Sequence, residues 1–384
     1  MRRKELYVLL GLVLAMGCQP KEKKSAEYSE LLPKREHFRD TIDGKPTDLF
    51  YLMNHHGMQA AITNYGGRVV SLIVPDKRGL PVDVVLGIES LSGYQNSTEA
   101  YFGALIGRVG NRIANGRFSV DGKEYQIPQN NGPNTLHGGL KGFHGVVWDA
   151  EQTSDSSLVL NYFSPDGEEG FPGNLEVRVV YSLTADNGLK IEYHAQTDQL
   201  TPVNLTNHAF FNLNGEGSGT INNHVLMVDA DFITPVDQEL IPFGELLSVE
   251  GTPFDFRTPV EIGARLDTTA HIQLSHGKGY DHNFVLNKSN SELTLVAKIT
   301  GDKSGIVMSV YTQEPGLQFY GGNFMQSQNT LKSGAKDDFR TSFCLETQHF
   351  PDAPNQPSFP SILFGSGEVY QTVSEYRFGV ISEL

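Results

Sequence analysis

The sequence has few cysteines, a deficit of basic residues and no long apolar run. Its two cysteines are Cys18 and Cys344, so only Cys344 follows the leader described below and no disulfide is expected within the mature chain. Lys and Arg total 30 against 45 Asp and Glu, which gives a formal net charge of −15. A surface that acidic repels phosphate groups, which argues against nucleic acid as a partner and mildly against phosphorylated substrates.

The N-terminus carries the longest apolar run, residues 6–16, shortly after the basic residues Arg2, Arg3 and Lys4. This run of about eleven residues is shorter than the ~20 that a membrane-spanning helix needs, and the pattern predicts a secretory signal. Gly17-Cys18 resembles a bacterial lipobox, so residues 1–18 are predicted to be a lipoprotein signal peptide with lipidation at Cys18. We expect an exported lipoprotein, anchored at the periplasmic or cell-surface side. The polar, aperiodic residues 19–34 predict a flexible tether.

Short runs of alternating apolar residues, separated by turn formers, fill residues 35–384. In residues 175–181 every second side chain is apolar, which is typical of a half-buried strand. Asp186-Asn187-Gly188 supplies a tight turn, and residues 189–196 alternate again, so a hairpin is predicted. Further candidate strands are residues 58–65, 68–74, 82–86, 293–299 and 306–312, of which the last two form a second hairpin.

The chain shows no window of a dozen residues with a helical period of 3.6 and no internal repeat. Glycine, at 40 of 384 residues, exceeds the usual ~7 % and suits many turns. Many short strands with few helices predict an all-β fold, a large antiparallel β-sandwich or barrel. We expect residues 35–384 to form a single domain.

Common catalytic motifs are absent, since the sequence has no Walker sequence, no His-Glu-x-x-His and no Gly-x-Ser-x-Gly. A titratable residue among loop formers or hydrogen-bonding groups recurs in residues 107–113, 134–139, 204–215, 279–284 and 343–348. For His137 or His208 taken alone, a structural role remains the alternative. Glu346 has apolar neighbours on its N-terminal side, so a buried, costly carboxylate is expected there, and such a group needs a function or a partner.

The chain resembles the aldose 1-epimerase (galactose mutarotase) family over residues 35–378. Seven blocks carry the resemblance in this order: GRVGNRIANGRF, PNTLHGG, SPDGEEGFPG, TPVNLTNHAFFNL, GYDHNFVL, EPGLQFYGGNF and FCLETQHFPDAPNQPSFP. The resemblance implies a galactose mutarotase-like supersandwich with few short helices and with the sugar in an open cleft. It also implies an isomerase that interconverts the α and β anomers of free aldohexoses such as glucose and galactose.

The same resemblance assigns roles to individual residues. His208 matches the general acid and Glu346 the general base of the family. The residues expected to hold the sugar hydroxyls are Asn111, Arg112, His137 and Asp281. Glu314 is expected to line the same cleft. As an aromatic residue, and not through the resemblance, Phe210 is expected to stack on the sugar, with core packing as the alternative, whereas core packing is expected for Trp148. Ala209-Phe210 departs from the Ser-Tyr of other members, which leaves the outer sugar contacts open.

The expected chemistry needs only proton transfer. Ordinary pKa values near ~4.3 for Glu and ~6.5 for His let a charged Glu346 and a protonated His208 coexist near neutral pH. We therefore expect no cofactor and no catalytic metal, although a structural Ca²⁺ stays open without an identified site. A monomer is expected. The alternatives are a non-catalytic sugar-binding lipoprotein on this fold and a hexose-phosphate 1-epimerase, which would need a basic cluster that the sequence does not show.

Overall fold

The computed structural model describes residues 31–267, 269–288 and 291–381. The predicted signal peptide, with Cys18, and most of the predicted tether lie outside these residues. Of the tether, residues 31–34 are described, and the buried Pro33 accepts a hydrogen bond from the hydroxyl of Tyr51 at 2.7 Å. Contact with the folded domain thus begins just before residue 35. None of the helices in the described part of the chain is long and apolar enough to cross a membrane.

Strands dominate the described residues, as the alternating pattern predicts. They are β1 (Asp40–Ile42), β2 (Lys45–Thr47), β3 (Leu49–Met53), β4 (Gln59–Thr63), β5 (Arg68–Pro75), β6 (Pro81–Asp83), β7 (Leu105–Ile106), β8 (Arg112–Ile113), β9 (Arg117–Val120), β10 (Lys123–Gln126), β11 (Thr135–Leu136), β12 (Asp149–Ser154), β13 (Ser157–Ser164), β14 (Leu175–Leu183), β15 (Gly188–Thr197), β16 (Thr201–Pro202), β17 (Thr206–Asn207), β18 (Val225–Val228), β19 (Ala230–Ile233), β20 (Leu247–Ser248), β21 (Val260–Glu261), β22 (Asp281–Leu286), β23 (Thr294–Thr300), β24 (Ile306–Thr312), β25 (Gly316–Tyr320), β26 (Cys344–Gln348), β27 (Leu363–Phe364) and β28 (Val369–Val380). The helices are α1 (Leu91–Gln95), α2 (Ile272–His276) and 3₁₀ turns at Arg35–Phe38, Ala114–Gly116, Phe143–Gly145, Glu168–Gly170, Ile262–Arg265 and Ala353–Asn355. The predicted all-β class with few short helices is confirmed.

The largest sheet has nine strands in the order β12-β13-β14-β15-β28-β24-β23-β18-β21. Its neighbours are all antiparallel, and it contains both predicted hairpins, β14 with β15 and β23 with β24. In β14 the buried side chains alternate with outward ones, and Val179 pairs with Tyr193 of β15 on the buried side. The period of two read from the sequence therefore sets which face of this sheet enters the core.

Two further sheets complete the sandwich. One has the order β20-β19-β22-β25-β26, and the other runs β3-β4-β5-β6. A single cluster of buried side chains joins all three sheets, with members such as Ile62, Tyr193 and Phe319. The predicted large antiparallel β-sandwich is thus confirmed.

The predicted strand at residues 82–86 is shorter in the structure, because the chain changes partners after β6. Val84 donates its backbone N–H to the carbonyl of Leu72 on β5, whereas the N–H of Leu86 donates to the carbonyl of Phe210 at 2.8 Å. Val85 forms a bridge with Phe211. This switch attaches the four-stranded sheet to the segment that follows His208.

Arg108 is a buried cation that organises loops beside the site described below. Its guanidinium makes five hydrogen bonds, to the side chain and carbonyl of Ser164 and to the carbonyls of Pro165, Pro172 and Gly173. Burial lowers its pKa to about 10. Removing the guanidinium leaves several buried acceptors without donors, each at a cost of ~1 to 3 kcal/mol.

We therefore expect Arg108→Met to lower the free energy of unfolding by about 3 kcal/mol or more, measured by urea denaturation. Arg117→Met is the matched control, since the Arg117 side chain is 56 % exposed and its change should stay within ~0.5 kcal/mol. Equal stability of the two variants would contradict the structural role assigned to Arg108.

Candidate active site

His208 directly follows the short strand β17, and the surrounding amides fix its backbone. Its N–H donates to the carbonyl of Ala104 at 2.8 Å, and its own carbonyl accepts from the N–H of Gly103 at 3.0 Å. The side-chain amide of Asn207 donates to the carbonyl of Gly103 and to the hydroxyl of Tyr181. The amide side chain of Asn207 thus satisfies neighbouring polar groups, and the backbone of His208 is held in place on both sides.

Glu346 lies in the middle of β26, on the same sheet face as the polar side chains of β22 and β25. It pairs with Gln318 of β25, and it is 2 % exposed. Its Oε2 atom has no hydrogen-bond partner within the described ranges. The sequence-based expectation of a buried carboxylate in an apolar strand is confirmed, and the unpaired oxygen remains available for a ligand.

The two side chains meet, although they are 138 residues apart in the sequence. Nε2 of His208 lies 3.5 Å from Oε1 of Glu346. Burial lowers the pKa of His208 to about 3, and it raises the pKa of Glu346 well above its ordinary value, with further raising by Asp281. Both effects favour the neutral forms, so the pair holds one proton as a carboxylic acid beside a neutral imidazole. These two directions oppose the sequence-based expectation of a charged Glu346 facing a protonated His208.

Aromatic rings and one thiol surround the imidazole of His208. The ring of Phe210 stacks on it with centroids 4.8 Å apart, and the ring of Tyr101 lies 5.8 Å away. Sγ of Cys344 is 3.5 Å from Nδ1 of His208. Phe210 has no exposed surface and does not line the cavity, so its expected contact with the sugar is not found. Phe210 packs against His208 instead.

Three of the predicted sugar-binding residues come from two loops that meet beside His208. The backbone N–H of Asn111 donates to Nδ1 of His137 at 3.1 Å, and the carbonyl of Asn111 accepts from the N–H of His137. Both residues have positive φ angles, of 60° and 53°. The Nε–H of Arg112 donates to the side-chain oxygen of Asn131. The terminal nitrogens of Arg112 have no partners within the described residues. The structure thus brings Asn111, Arg112 and His137 together, as expected.

Asp281 begins β22 and faces the same cavity, as the resemblance implies. Its Oδ1 atom accepts a hydrogen bond of 2.6 Å from Nε2 of Gln318. Burial raises the pKa of Asp281, whereas the charge of Arg112 lowers it. Gln318 is absent from the sequence-based set, although it pairs with Glu346 and orients Asp281. The signal that identifies it is a glutamine in the otherwise apolar run Leu317-Gln-Phe-Tyr320.

The structure places Glu314 away from this cavity, so the expectation that it lines the cleft is wrong. Glu314 lies four residues before Gln318, roughly 13 Å along an extended chain. Its Oε2 atom is 2.6 Å from Nδ1 of His349, and Glu314 is 2 % exposed. Burial disfavours the charged form of His349, but the carboxylate overcomes it and raises the pKa of His349. Glu314 therefore serves a partly buried ion pair with His349.

The cavity has a volume of about 470 Å³, which is within the range of small-molecule sites. Its wall contains six of the predicted residues, all except Phe210 and Glu314, together with others that sequence reasoning missed: Glu99, Tyr101, Asn131, Leu136, Gln238, Glu239, Leu240, His276, Lys278, Tyr320 and Phe324. Trp148 is buried in the core, with its indole N–H donating to the carbonyl of Phe143. The cavity offers many hydrogen-bonding groups around the His208–Glu346 contact.

His137, His208 and Glu346 also form a cluster whose candidate ligand atoms lie within 4.8 Å of one another. Nδ1 of His137 accepts the N–H of Asn111, so the neutral ring carries its proton on Nε2 and offers no second lone pair. One histidine and one glutamate are fewer ligands than zinc sites use, and Ca²⁺ prefers oxygen ligands. The cluster therefore suits proton transfer better than metal binding, and the structural Ca²⁺ stays a prediction without a site.

Comparisons with known proteins identify the family of this chain. The profile of the aldose 1-epimerase family matches residues 48–377. The chain is 46 % identical to galactose mutarotase from Bos taurus, covering 89 % of this chain and 97 % of that protein, and 38 % identical to aldose 1-epimerase from Escherichia coli, covering 88 % and 96 %. The crystal structure of an aldose epimerase homologue from C. elegans superposes with a TM-score of 0.81 at 29 % identity, covering 88 % of this chain and all of that one. The chain belongs to the aldose 1-epimerase family.

Proposed function

We propose that this chain, an aldose 1-epimerase, acts on free aldohexoses such as galactose and glucose through Glu346 as general base and His208 as general acid. The observation that carries the assignment is the 3.5 Å contact between the two side chains at the wall of a cavity rich in hydrogen-bonding groups. Two groups on either side of one hemiacetal carbon satisfy what anomer interconversion requires.

The reaction needs one proton removed and one supplied. In the reactive form the shared proton lies on His208 and Glu346 is ionised. The C1 hydroxyl then gives its proton to Glu346 while His208 gives its proton to the ring oxygen, and the bond between C1 and the ring oxygen breaks to leave an aldehyde. Glu346 is then a carboxylic acid and His208 a neutral imidazole, which is the arrangement that burial favours. Burial thus stabilises the pair in the ring-opened state. Closure on the other face of the aldehyde reverses both transfers and restores the pair.

The remaining hydroxyls must be held while the bond between C1 and C2 rotates. Arg112 has free terminal nitrogens, His137 presents Nε2–H as a donor, and Asp281 retains an acceptor oxygen beside Gln318. These groups are fixed by the protein before the sugar binds, so less orientational freedom is lost on binding. No cofactor is needed for these steps.

The alternative functions fit the cavity less well. A hexose-phosphate epimerase needs several cations, whereas the cations at the cavity wall are Arg112 and Lys278, beside Glu99, Glu239, Asp281 and Glu346. A binding protein without activity needs the groups that hold hydroxyls but has no need of two adjacent proton-transfer groups. The contact between His208 and Glu346 therefore favours the enzyme.

Polarimetry of freshly dissolved α-glucose and α-galactose tests the proposal. We expect the purified chain to accelerate the approach of both sugars to anomeric equilibrium in the presence of a chelator. Glucose 6-phosphate in the same assay should react more slowly. A rate equal to that of buffer alone with both free sugars would refute the proposal, and a preference for the phosphate would support the hexose-phosphate alternative.

The pH dependence of kcat follows from the shared proton. The active pair carries one proton, so kcat falls at low pH when His208 gains a second proton and at high pH when Glu346 loses the only one. Burial lowers the pKa of His208 below its ordinary value and raises the pKa of Glu346 above its ordinary value, so the two losses of activity move apart on the pH scale. Bound sugar adds to this burial. We expect a broad maximum through neutral pH, measured after subtraction of the uncatalysed rate. A kcat that rises continuously toward one end of the pH range would contradict the pair.

We further infer that the chain is exported and anchored through lipid at Cys18. The support is the leader at residues 1–18 and the lipobox-like Gly17-Cys18, which lie outside the described residues. Metabolic labelling with a fatty acid, with Cys18→Ala as control, tests this. A monomer also remains a proposal, to be tested by light scattering of the chain without its lipid.

A further inference from the structure

Glu99 is a carboxyl group at the cavity wall for which the steps above have no role. It lies in the turn before Tyr101, and its Oε1 atom accepts the backbone N–H of Tyr101 at 3.0 Å. Its Oε2 atom has no hydrogen-bond or ion-pair partner within the part of the chain that the structure describes. One oxygen therefore anchors the side chain, and the other is free beside the cavity.

The neighbours of Glu99 do not neutralise it. The charged or titratable groups that face it are Arg68, Tyr101, Tyr320, Asp337, Cys344 and Glu346. Arg68 directs its guanidinium to the carbonyls of Phe102 and His144, and Asp337 is satisfied by Asn329. A half-buried carboxylate without a cation partner is costly unless a ligand supplies hydrogen-bond donors.

We propose that Glu99 is a further sugar-binding residue, whose Oε2 atom accepts a hydrogen bond from one substrate hydroxyl. This inference rests on the proposed function, because it takes the cavity as the site of a free aldose. Sugar hydroxyls are the donors that the free oxygen lacks, and a carboxylate accepts them more strongly than a neutral amide does. Glu99 then acts on substrate affinity, whereas Glu346 and His208 act on the chemical step.

The first test replaces Glu99 by glutamine, which has the same shape. The backbone N–H of Tyr101 needs an acceptor, so the amide oxygen takes the place of Oε1 and the amide NH₂ faces the sugar. We expect Glu99→Gln to raise KM for glucose about tenfold or more while kcat changes little, as for loss of a hydrogen bond to a charged group. Glu89→Gln, an exposed glutamate ten residues upstream, is the matched control and should leave KM unchanged.

The second test uses glucose analogues that lack one hydroxyl, the 2-, 3-, 4- and 6-deoxy sugars. For the sugar that lacks the hydroxyl held by Glu99, wild type and Glu99→Gln should have the same KM, while the others keep the tenfold difference. A KM ratio that is identical for glucose and every analogue would overturn the proposal. A wild type that is inactive on all free aldoses would instead refute the proposed function itself.

The third test needs only the wild-type protein. Burial raises the pKa of Glu99 to about 7, with the charge of Asp337 adding to the shift. Because the ionised carboxylate is the better acceptor, KM of the wild type should fall as pH rises through about 7. Glu99→Gln should lack this change. A KM of the wild type that is constant from about pH 6 to about pH 8 would count against Glu99 as a ligand.

Discussion

Glu346→Gln should abolish most of the mutarotase activity while leaving the protein folded. The amide retains the shape of the side chain but cannot take the proton of the C1 hydroxyl. General base catalysis contributes typically ~10²- to 10⁴-fold, so we expect kcat to fall by at least ~10²-fold, measured by polarimetry with α-galactose. KM should change much less, because other residues hold the remaining hydroxyls.

The control for this prediction separates chemistry from folding. Glu346 has no hydrogen-bond partner for Oε2 among the described residues, so replacing a buried carboxyl group by an amide removes no partner from that atom. We expect Glu346→Gln to unfold at the same or a higher temperature than wild type, because the amide cannot ionise at the buried position. The exposed Glu89→Gln variant should keep full activity. Activity of Glu346→Gln within a factor of about two of wild type would refute its role as the base.

Alternation of apolar residues was sufficient to predict four strands of the large sheet, namely β14, β15, β23 and β24. β14 and β15 bury every second side chain, so their period of two appears directly in the sequence. Residues 84–86 show the limit of this reasoning. They continue β6 as an unbroken apolar run, Val84-Val85-Leu86, but the N–H of Leu86 donates to the carbonyl of Phe210. Phe210 is distant in sequence, and local patterns carry no information about that partner.

The candidate site was predictable where a residue's role depends on its own motif. His208, Glu346, Asn111, Arg112, His137 and Asp281 all line one cavity, as the resemblance implies. The expectations that Glu314 and Phe210 face the cavity were wrong, because strand direction and packing decide which side chains do so. Gln318 was missed for the same reason, since its pairing with Glu346 depends on the register between β25 and β26.

The protonation state of the pair was also beyond the sequence. Ordinary pKa values favour a charged Glu346 and a protonated His208, and only the depth of burial reverses this order. The surroundings of His208 explain why its pKa falls so far. Its Nδ1 atom meets the thiol of Cys344, a weak hydrogen-bond partner, and aromatic rings pack against the imidazole, so Glu346 is the one carboxyl group within ion-pair distance of it among the described residues.

His208→Ala should reduce kcat as strongly as loss of the base, by at least ~10²-fold, because ring opening then lacks the group that protonates the ring oxygen. The same loss is expected from His208→Gln, which fills more of the space beside Phe210 and Tyr101 and so guards against a packing artefact. His55→Ala, at an exposed histidine, is the control and should retain full activity.

The double variant of Glu346 and His208 tests whether the two groups act in one concerted step. Glu346 and His208 transfer protons in one concerted step, so after loss of one of them the other contributes little, and the double variant should be about as slow as either single variant. Polarimetry of wild type, both single variants and the double variant measures this directly. Single losses that multiply in the double variant would show that the two groups act independently, and the shared-proton mechanism would then be wrong.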